Sequence, residues 1–162
     1  FMNIIYRNWG SIVFVISVMA IFIALIAEYF YNLLPCKMCL YQRYPYYSII
    51  IIYPIFLFLK KHNSIWLFIL FELSIVYGLF YSIWHVGIEK KIFKGPQGCS
   101  NSLEKLSSVD KLKDQIINQP IVDCATINWQ IFGFSAATIN LILLLFIVFF
   151  NTIFIIKNYY EK

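Results

Sequence analysis

Long runs in which nearly every side chain is apolar, separated by short polar segments, dominate this chain. They extend from about Gly10 to Ala27, Tyr44 to Leu59, Ile65 to Trp84 and Ile131 to Ile156. Each is close to the roughly 20 residues a helix needs to cross a bilayer. The second is the shortest and carries two prolines; Pro45 fits a first helical turn, and Pro54 is expected to kink the helix or end it early. The pattern predicts an all-α membrane protein with one domain over 1–162, a four-transmembrane-helix bundle. Its spans fall at about 10–28, 44–60, 65–85 and 131–156, with long connections at about 29–43 and 86–130. The first run is followed by Glu28 and large aromatics and lacks a small-x-small cleavage pattern, so it is expected to remain as a helix. Gly133, Ser135, Ala136 and Ala137 are small residues suited to close helix packing in the fourth run.

The segment from about Gly87 to Gln130 is the one sizeable polar stretch. Asn101 with Glu104 three residues later forms a capping-box pattern, and Leu103, Leu106, Val109, Leu112 and Ile116 follow at helical spacing. A short horizontal amphipathic helix lying on the bilayer fits this pattern. Cys99 precedes it on a breaker-rich turn, Lys94-Gly95-Pro96-Gln97-Gly98-Cys99, and Cys124 follows it on an extended return. A disulfide between them is geometrically reasonable, although four cysteines allow three pairings.

Composition fits the membrane reading. The chain is 61% hydrophobic and 13% charged, with a mean hydropathy of +0.75, and a soluble domain of this length has no interior large enough for that apolar surface. The net charge of +5 needs no nucleic acid, because lysines flanking spans beside anionic lipid account for it. Four spans would put both termini on one side and all four cysteines on the other. The terminal side holds Arg7, Lys60, Lys61, Lys157 and Lys162 on short segments; the other holds Lys37, Arg43 and six lysines spread over a long loop. Charge density near the spans favours cytoplasmic termini, and disulfide chemistry belongs on the oxidising face.

The candidate chemistry centres on Pro35-Cys36-Lys37-Met38-Cys39-Leu40-Tyr41-Gln42-Arg43. If a helix begins near Cys36, then Cys36 and Cys39 are i,i+3 neighbours and Arg43 stands one turn beyond on the same face. Thiolates at a helix N-terminus or beside a cation have depressed pKa values. The alternatives for this pair are inert buried thiols or half of a zinc site, although zinc normally wants a second tight pair and Cys99 and Cys124 are far apart in sequence. His85 closes the third run on the cysteine side, as a polar cap or a proton-handling group, and Glu72 lies inside that run, as a functional carboxylate or one bonded to a neighbouring helix. Trp9, Trp66, Trp84 and Trp129 sit near predicted helix ends as interface anchors, while some of Tyr41, Tyr44, Tyr46 and Tyr47 are placed to line a pocket for a flat ring. One cysteine pair rigid beside the membrane and one on a flexible loop suit a relay of thiol–disulfide exchange.

With these residues in view, the chain resembles the DsbB family, the quinone-reducing membrane oxidases of bacterial disulfide formation, over nearly its whole length. The likeness rests on Pro35-Cys36-x-x-Cys39-x-x-Gln42-Arg43, on Trp84-His85-Val86-Gly87-Ile88-Glu89, on the Gly95–Ser100 turn, and on Cys124 shortly before Trp129-x-x-Phe132-Gly133. The resemblance implies a multi-pass protein of the bacterial inner membrane with periplasmic cysteines, and a quinone, ubiquinone or menaquinone, as cofactor with no metal. It implies a soluble thioredoxin-fold DsbA-like partner whose mixed disulfide forms at Cys99, with Cys124 as loop companion and Cys36 exchanging with the loop pair. Cys39 would be the thiolate that meets the quinone, Arg43 would polarise the ring, and His85 would lie near the same pocket. Disulfide potentials run from about −270 mV for thioredoxin to about −120 mV for DsbA, so an ordinary thiol pair would face an uphill step of roughly 7 kcal/mol in oxidising DsbA. A quinone acceptor supplies the missing pull. The competing readings are a non-enzymatic membrane subunit with static disulfides or a metal site, and an enzyme resembling vitamin-K-epoxide reductase.

Overall fold

The computed structural model describes residues 2–61, 63–96, 124–127, 130–131 and 133–160. The expected horizontal helix near 101–116 lies outside these residues. Five helices follow one another: α1 (Met2–Tyr29), α2 (Lys37–Tyr41), α3 (Tyr44–Phe58), α4 (Ile65–Glu89) and α5 (Ala136–Tyr160). A two-residue antiparallel ribbon, β1 (Gln130–Ile131) and β2 (Phe134–Ser135), precedes α5. Among the described residues three stretches are long and apolar enough to cross a membrane: Asn8–Tyr29, Ile65–Glu89 and Ala136–Lys157. Helix α3 has 15 residues and falls short of that length, ending one turn beyond Pro54. The helix thus runs through Pro54, which removes only the bond to the Ile50 carbonyl, and closes a turn later at the left-handed Lys60.

Local chemistry sets the ends. Helices α3 and α4 both close with a lysine in the left-handed region, Lys60 at φ 53° and Lys91 at φ 58°. The following amides turn back, Lys61 N–H to Phe56 O at 2.9 Å and Ile92 N–H to Gly87 O at 2.8 Å, which satisfies last-turn carbonyls. The fourth run does not begin as helix at Ile131, as its apolar pattern suggests. Gly133, at φ +81°, forms the ribbon's turn, and Ser135 Oγ accepts the Thr138 amide at 3.2 Å to start α5 one residue later. Gly133 and Ser135 are therefore turn and cap residues, with helix packing left to Ala136 and Ala137.

Helix α4 packs most extensively on α5, and α3 bridges α1 and α4. Gly78 lets Pro45 of α3 and Leu144 of α5 approach closely, since a Cβ there would lie 2.7 Å from Pro45 Cγ and 3.1 Å from Leu144 Cδ1. Outside the core, Val15, Phe22, Leu73, Phe80 and Phe149 are each more than half exposed, a surface that lipid covers and water does not. The interior is tied by polar groups at the end opposite the cysteines. Asn151 is fully buried; its Nδ2 donates to Phe68 O at 2.9 Å and to Glu72 Oε2 at 2.7 Å, and its Oδ1 accepts from Trp9 Nε1 at 3.3 Å. Thr152 Oγ1 donates to the other Glu72 oxygen at 2.7 Å. Glu72 is thus a clamp between α4 and α5, the bonded-carboxylate reading of the sequence.

Replacing Asn151 by Leu removes three hydrogen bonds from this clamp and should destabilise the protein by roughly 1–3 kcal/mol, at the 0.6–1.7 kcal/mol such bonds are worth in membranes. Thermal melts in detergent check this, with lipid-facing Phe149→Leu as a control that should stay near wild type. Equal melting of the two variants would remove the clamp.

Candidate active site

The site forms where the connection after α1 meets the far end of α4. Helix α1 ends at Tyr29, Asn32 takes a left-handed turn at φ 52°, and the chain runs extended to Pro35. Cys36 then caps α2, its sulfur accepting the Cys39 amide at 3.3 Å. Helix α2 stops at Tyr41, so Arg43 stands in the turn that opens α3 and not on a helical face shared with Cys39. The two helices pack α2 against α4, which sets Cys36 Sγ 3.1 Å from Cys39 Sγ and 3.6 Å from His85 Nε2. Both cysteines are free thiols, whereas Cys124 is in a disulfide. Cys124 is buried in the same small cluster as Cys36, Met38 and Ile88. Cys99 lies outside the described residues.

The two sulfurs share one negative charge unequally. Cys36 is held well below the usual thiol range, at about 4, first by the S–H of Cys39 and then by His85 and the Cys39 amide, against the opposing effect of burial. Cys39 is pushed up, because it donates to Cys36, is buried, and faces the Cys36 charge; Arg43 offsets this only in part. The resemblance implies a thiolate at Cys39 when the acceptor is met; in the reduced pair a capping amide and a ring nitrogen both converge on the Cys36 sulfur.

His85 is buried, and Gln42 Nε2 lies 3.0 Å from its Nδ1. Arg43 Nη1 donates to Glu28 Oε2 at 2.6 Å, joining the head of α3 to the end of α1. All of these residues but Glu28 line one cavity of about 310 Å³, walled by Ile21, Ala24 and Ala27 of α1 and by Ala137, Ile139 and Leu143 of α5. The cavity is apolar with a few convergent polar groups, the ordinary form of a site for a small organic molecule. Of the crowded tyrosines, Tyr46 lines it, while Tyr41 and Tyr44 join an outward ring cluster with Tyr81 and Trp84. Cys36, Cys39 and His85 bring three soft donors within 4.8 Å, one short of the four a closed structural zinc site takes.

The structure therefore gathers Cys36, Cys39, Arg43 and His85 around one cavity and seats Cys124 beside them. It brings Tyr46 in from the tyrosines that crowd the start of α3, and adds Glu28, Gln42 and Asn140, to which the sequence assigned no role at the site. Asn140 carried a legible signal, an amide inside an apolar run; Glu28 carried only its position at a span end.

Comparison with known proteins bears on this arrangement. A sequence model of the DsbB family, disulfide bond formation protein DsbB, matches residues 6–154. The chain belongs to the DsbB family. It is similar to an uncharacterized protein, RP370, of Rickettsia prowazekii (strain Madrid E), 30% identical over 140 residues that cover 85% of this chain and 81% of that one. No solved structure matches it. Membership in the DsbB family makes this a membrane protein of disulfide-bond formation.

In the reduced protein, Cys36 should alkylate rapidly from neutral pH down to about pH 4, where its thiolate is lost, while Cys39 stays a slow-reacting thiol. A depressed folded pKa also stabilises the fold in one direction. The Cys36 contribution is complete above the unfolded value of 9.0 and disappears as the pH falls through about 4. Peptide mapping after timed alkylation across this range checks the assignment; preferential labelling of Cys39 would reverse it.

Proposed function

We propose that this protein is a quinone-dependent membrane thiol oxidase that reoxidises a soluble, periplasmic DsbA-like dithiol protein. The observation that carries the reading is the reduced Cys36–Cys39 pair opening, with Arg43 and His85, onto one apolar cavity between α1 and α5, beside a Cys124 that is already oxidised. In this reading the chain crosses a bacterial inner membrane four times, with α3 as the short second span, both termini in the cytoplasm and all four cysteines periplasmic, the side that lysine density near the spans supports.

In this reading Cys124 is bonded to Cys99, the cysteine left once Cys36 and Cys39 are free. The partner's dithiol reduces that loop disulfide through a mixed disulfide at Cys99. The loop dithiol then reduces a Cys36–Cys39 disulfide, with Cys36 as the sulfur that meets it, because Cys36 packs with Cys124. The state described here, membrane pair reduced and loop pair oxidised, follows that exchange. Closing the Cys36–Cys39 bond releases two electrons and the one proton held on Cys39. A quinone, ubiquinone or menaquinone, would supply the acceptor of both electrons, its reduction balanced by the Cys39 proton and one proton from water. Arg43, His85, Tyr46 and Ala137, which line the cavity, would hold it. Arg43 stabilises negative charge developing there, which a desolvated guanidinium does well. The acceptor has to compete with Glu28 for that guanidinium.

The test is optical: quinone reduction by the purified protein, with a reduced thioredoxin-fold dithiol protein as donor. Donor-dependent turnover should vanish in Cys39→Ala and Cys99→Ser. Arg43→Ala should keep thiol exchange with the donor but raise the quinone KM by roughly tenfold or more, the size of one lost charge-assisted hydrogen bond. Normal turnover in Cys39→Ala would end the proposal. Absence of turnover with either quinone, together with cysteines that resist mild reductant, would favour a structural membrane subunit.

A further inference from the structure

Cys36 is served by more buried polar groups than thiol exchange requires, and they form an ordered chain. Gln42 Nε2 lies 3.0 Å from His85 Nδ1 and 3.5 Å from the Tyr81 carbonyl. Asn140 Nδ2 donates to Gln42 Oε1 at 3.4 Å and to Ser82 Oγ at 2.8 Å, and Tyr46 OH donates to Asn140 Oδ1 at 2.5 Å. Gln42, Ser82 and His85 are all buried, so their donors and acceptors have to be matched within the protein.

The direction of this chain is decided by its one unambiguous member. The Tyr81 carbonyl can only accept, so the Gln42 group facing it is the NH2. The same NH2 meets His85 Nδ1, which must then present a lone pair. Turning the Gln42 amide over would set its oxygen against the Tyr81 oxygen, whether or not Asn140 turned with it. A neutral imidazole has one N–H and one lone pair, so its hydrogen lies on Nε2, the nitrogen 3.6 Å from Cys36 Sγ.

We propose that Gln42, held by Asn140 and Tyr46, is a positioning residue that fixes His85 as the neutral Nε2–H tautomer and thereby keeps one ring N–H aimed at the Cys36 sulfur. His85 is then a fixed donor to the thiolate and not a proton carrier, because a second proton on Nδ1 would displace Gln42 from three partners at once. The role deepens the oxidase reading and rests on it for its purpose: a sulfur met by a fixed ring N–H stays ready for exchange. The titratable and charged groups facing this pair are Cys39 on α2, Arg43 with its partner Glu28 of α1, Tyr46 on α3 and Glu89 on α4. Helix α5 faces it with Asn140, which does not titrate.

The experiment is nitrogen-15 spectroscopy of the reduced, full-length protein labelled at histidine, in detergent or nanodiscs. His62→Gln separates the two histidines of the chain. The expected spectrum at neutral pH shows Nε2–H and a lone-pair Nδ1 for His85. Gln42→Leu should release the ring, giving mixed tautomers. It should also raise the pH midpoint of Cys36 alkylation by roughly half to one unit, equivalent to one hydrogen bond. An Nδ1–H ring in the wild type overturns the proposal whether or not Gln42→Leu folds. So does a Gln42→Leu protein with the wild-type spectrum and midpoint. Neither readout uses a quinone or a donor protein, so a failure of oxidase turnover and a failure of the tautomer are told apart.

Discussion

The cysteine end of this molecule depends on one contact, the approach of the Cys36 sulfur to a buried histidine nitrogen. A thiolate taken out of water is costly unless donors replace its hydration. Here a capping amide, a thiol and an imidazole do so from three directions. Each comes from a separate structural decision. The amide requires Cys36 to precede the first turn of α2, the thiol requires Cys39 three residues on, and the imidazole requires α2 to lie against the last turns of α4. A five-residue helix could not hold itself in place in water. It holds because Met38 is buried beside Ile88 and Cys124, so the packing that fixes the helix also brings the second disulfide to the first thiol pair.

The bilayer imposes the same rule on the rest of the bundle. Apolar side chains gain little from leaving lipid for one another, so helix order is set by close contacts and by polar groups that must find partners. Gly78 admits Pro45 and Leu144. At one end Trp9, Glu72 and Asn151 satisfy each other; at the other Tyr46, Ser82, Gln42 and Asn140 do. Between α1 and α5 the walls near the cysteines are mostly small or apolar, and there the bundle leaves a cavity open. Tight polar closure at one end and an apolar opening at the other are two outcomes of one constraint.

Much of this was legible in the residues. Apolar runs located the long helices, with α1 beginning eight residues earlier than its apolar run, and the Cys36–Arg43 segment pointed to the residues that gather around the cavity. What sequence could not supply was the long-range pairing of polar side chains. Glu28 and Arg43 are 15 positions apart, and Gln42 and Asn140 are 98 apart; no local spacing rule joins them. The start of α5 was misplaced for a related reason, since apolar content continues across the ribbon and only the left-handed Gly133 marks the break.

The Arg43–Glu28 pair bears on how such a site can stay selective. An unpaired guanidinium on an apolar cavity would attract any anion that reached the membrane surface and would be expensive to desolvate. Pairing it with Glu28 removes that cost and neutralises the mouth of the cavity. In the proposed reading a neutral flat acceptor would enter without displacing a charge, and negative charge developing on it would have to outcompete Glu28 for the Arg43 guanidinium.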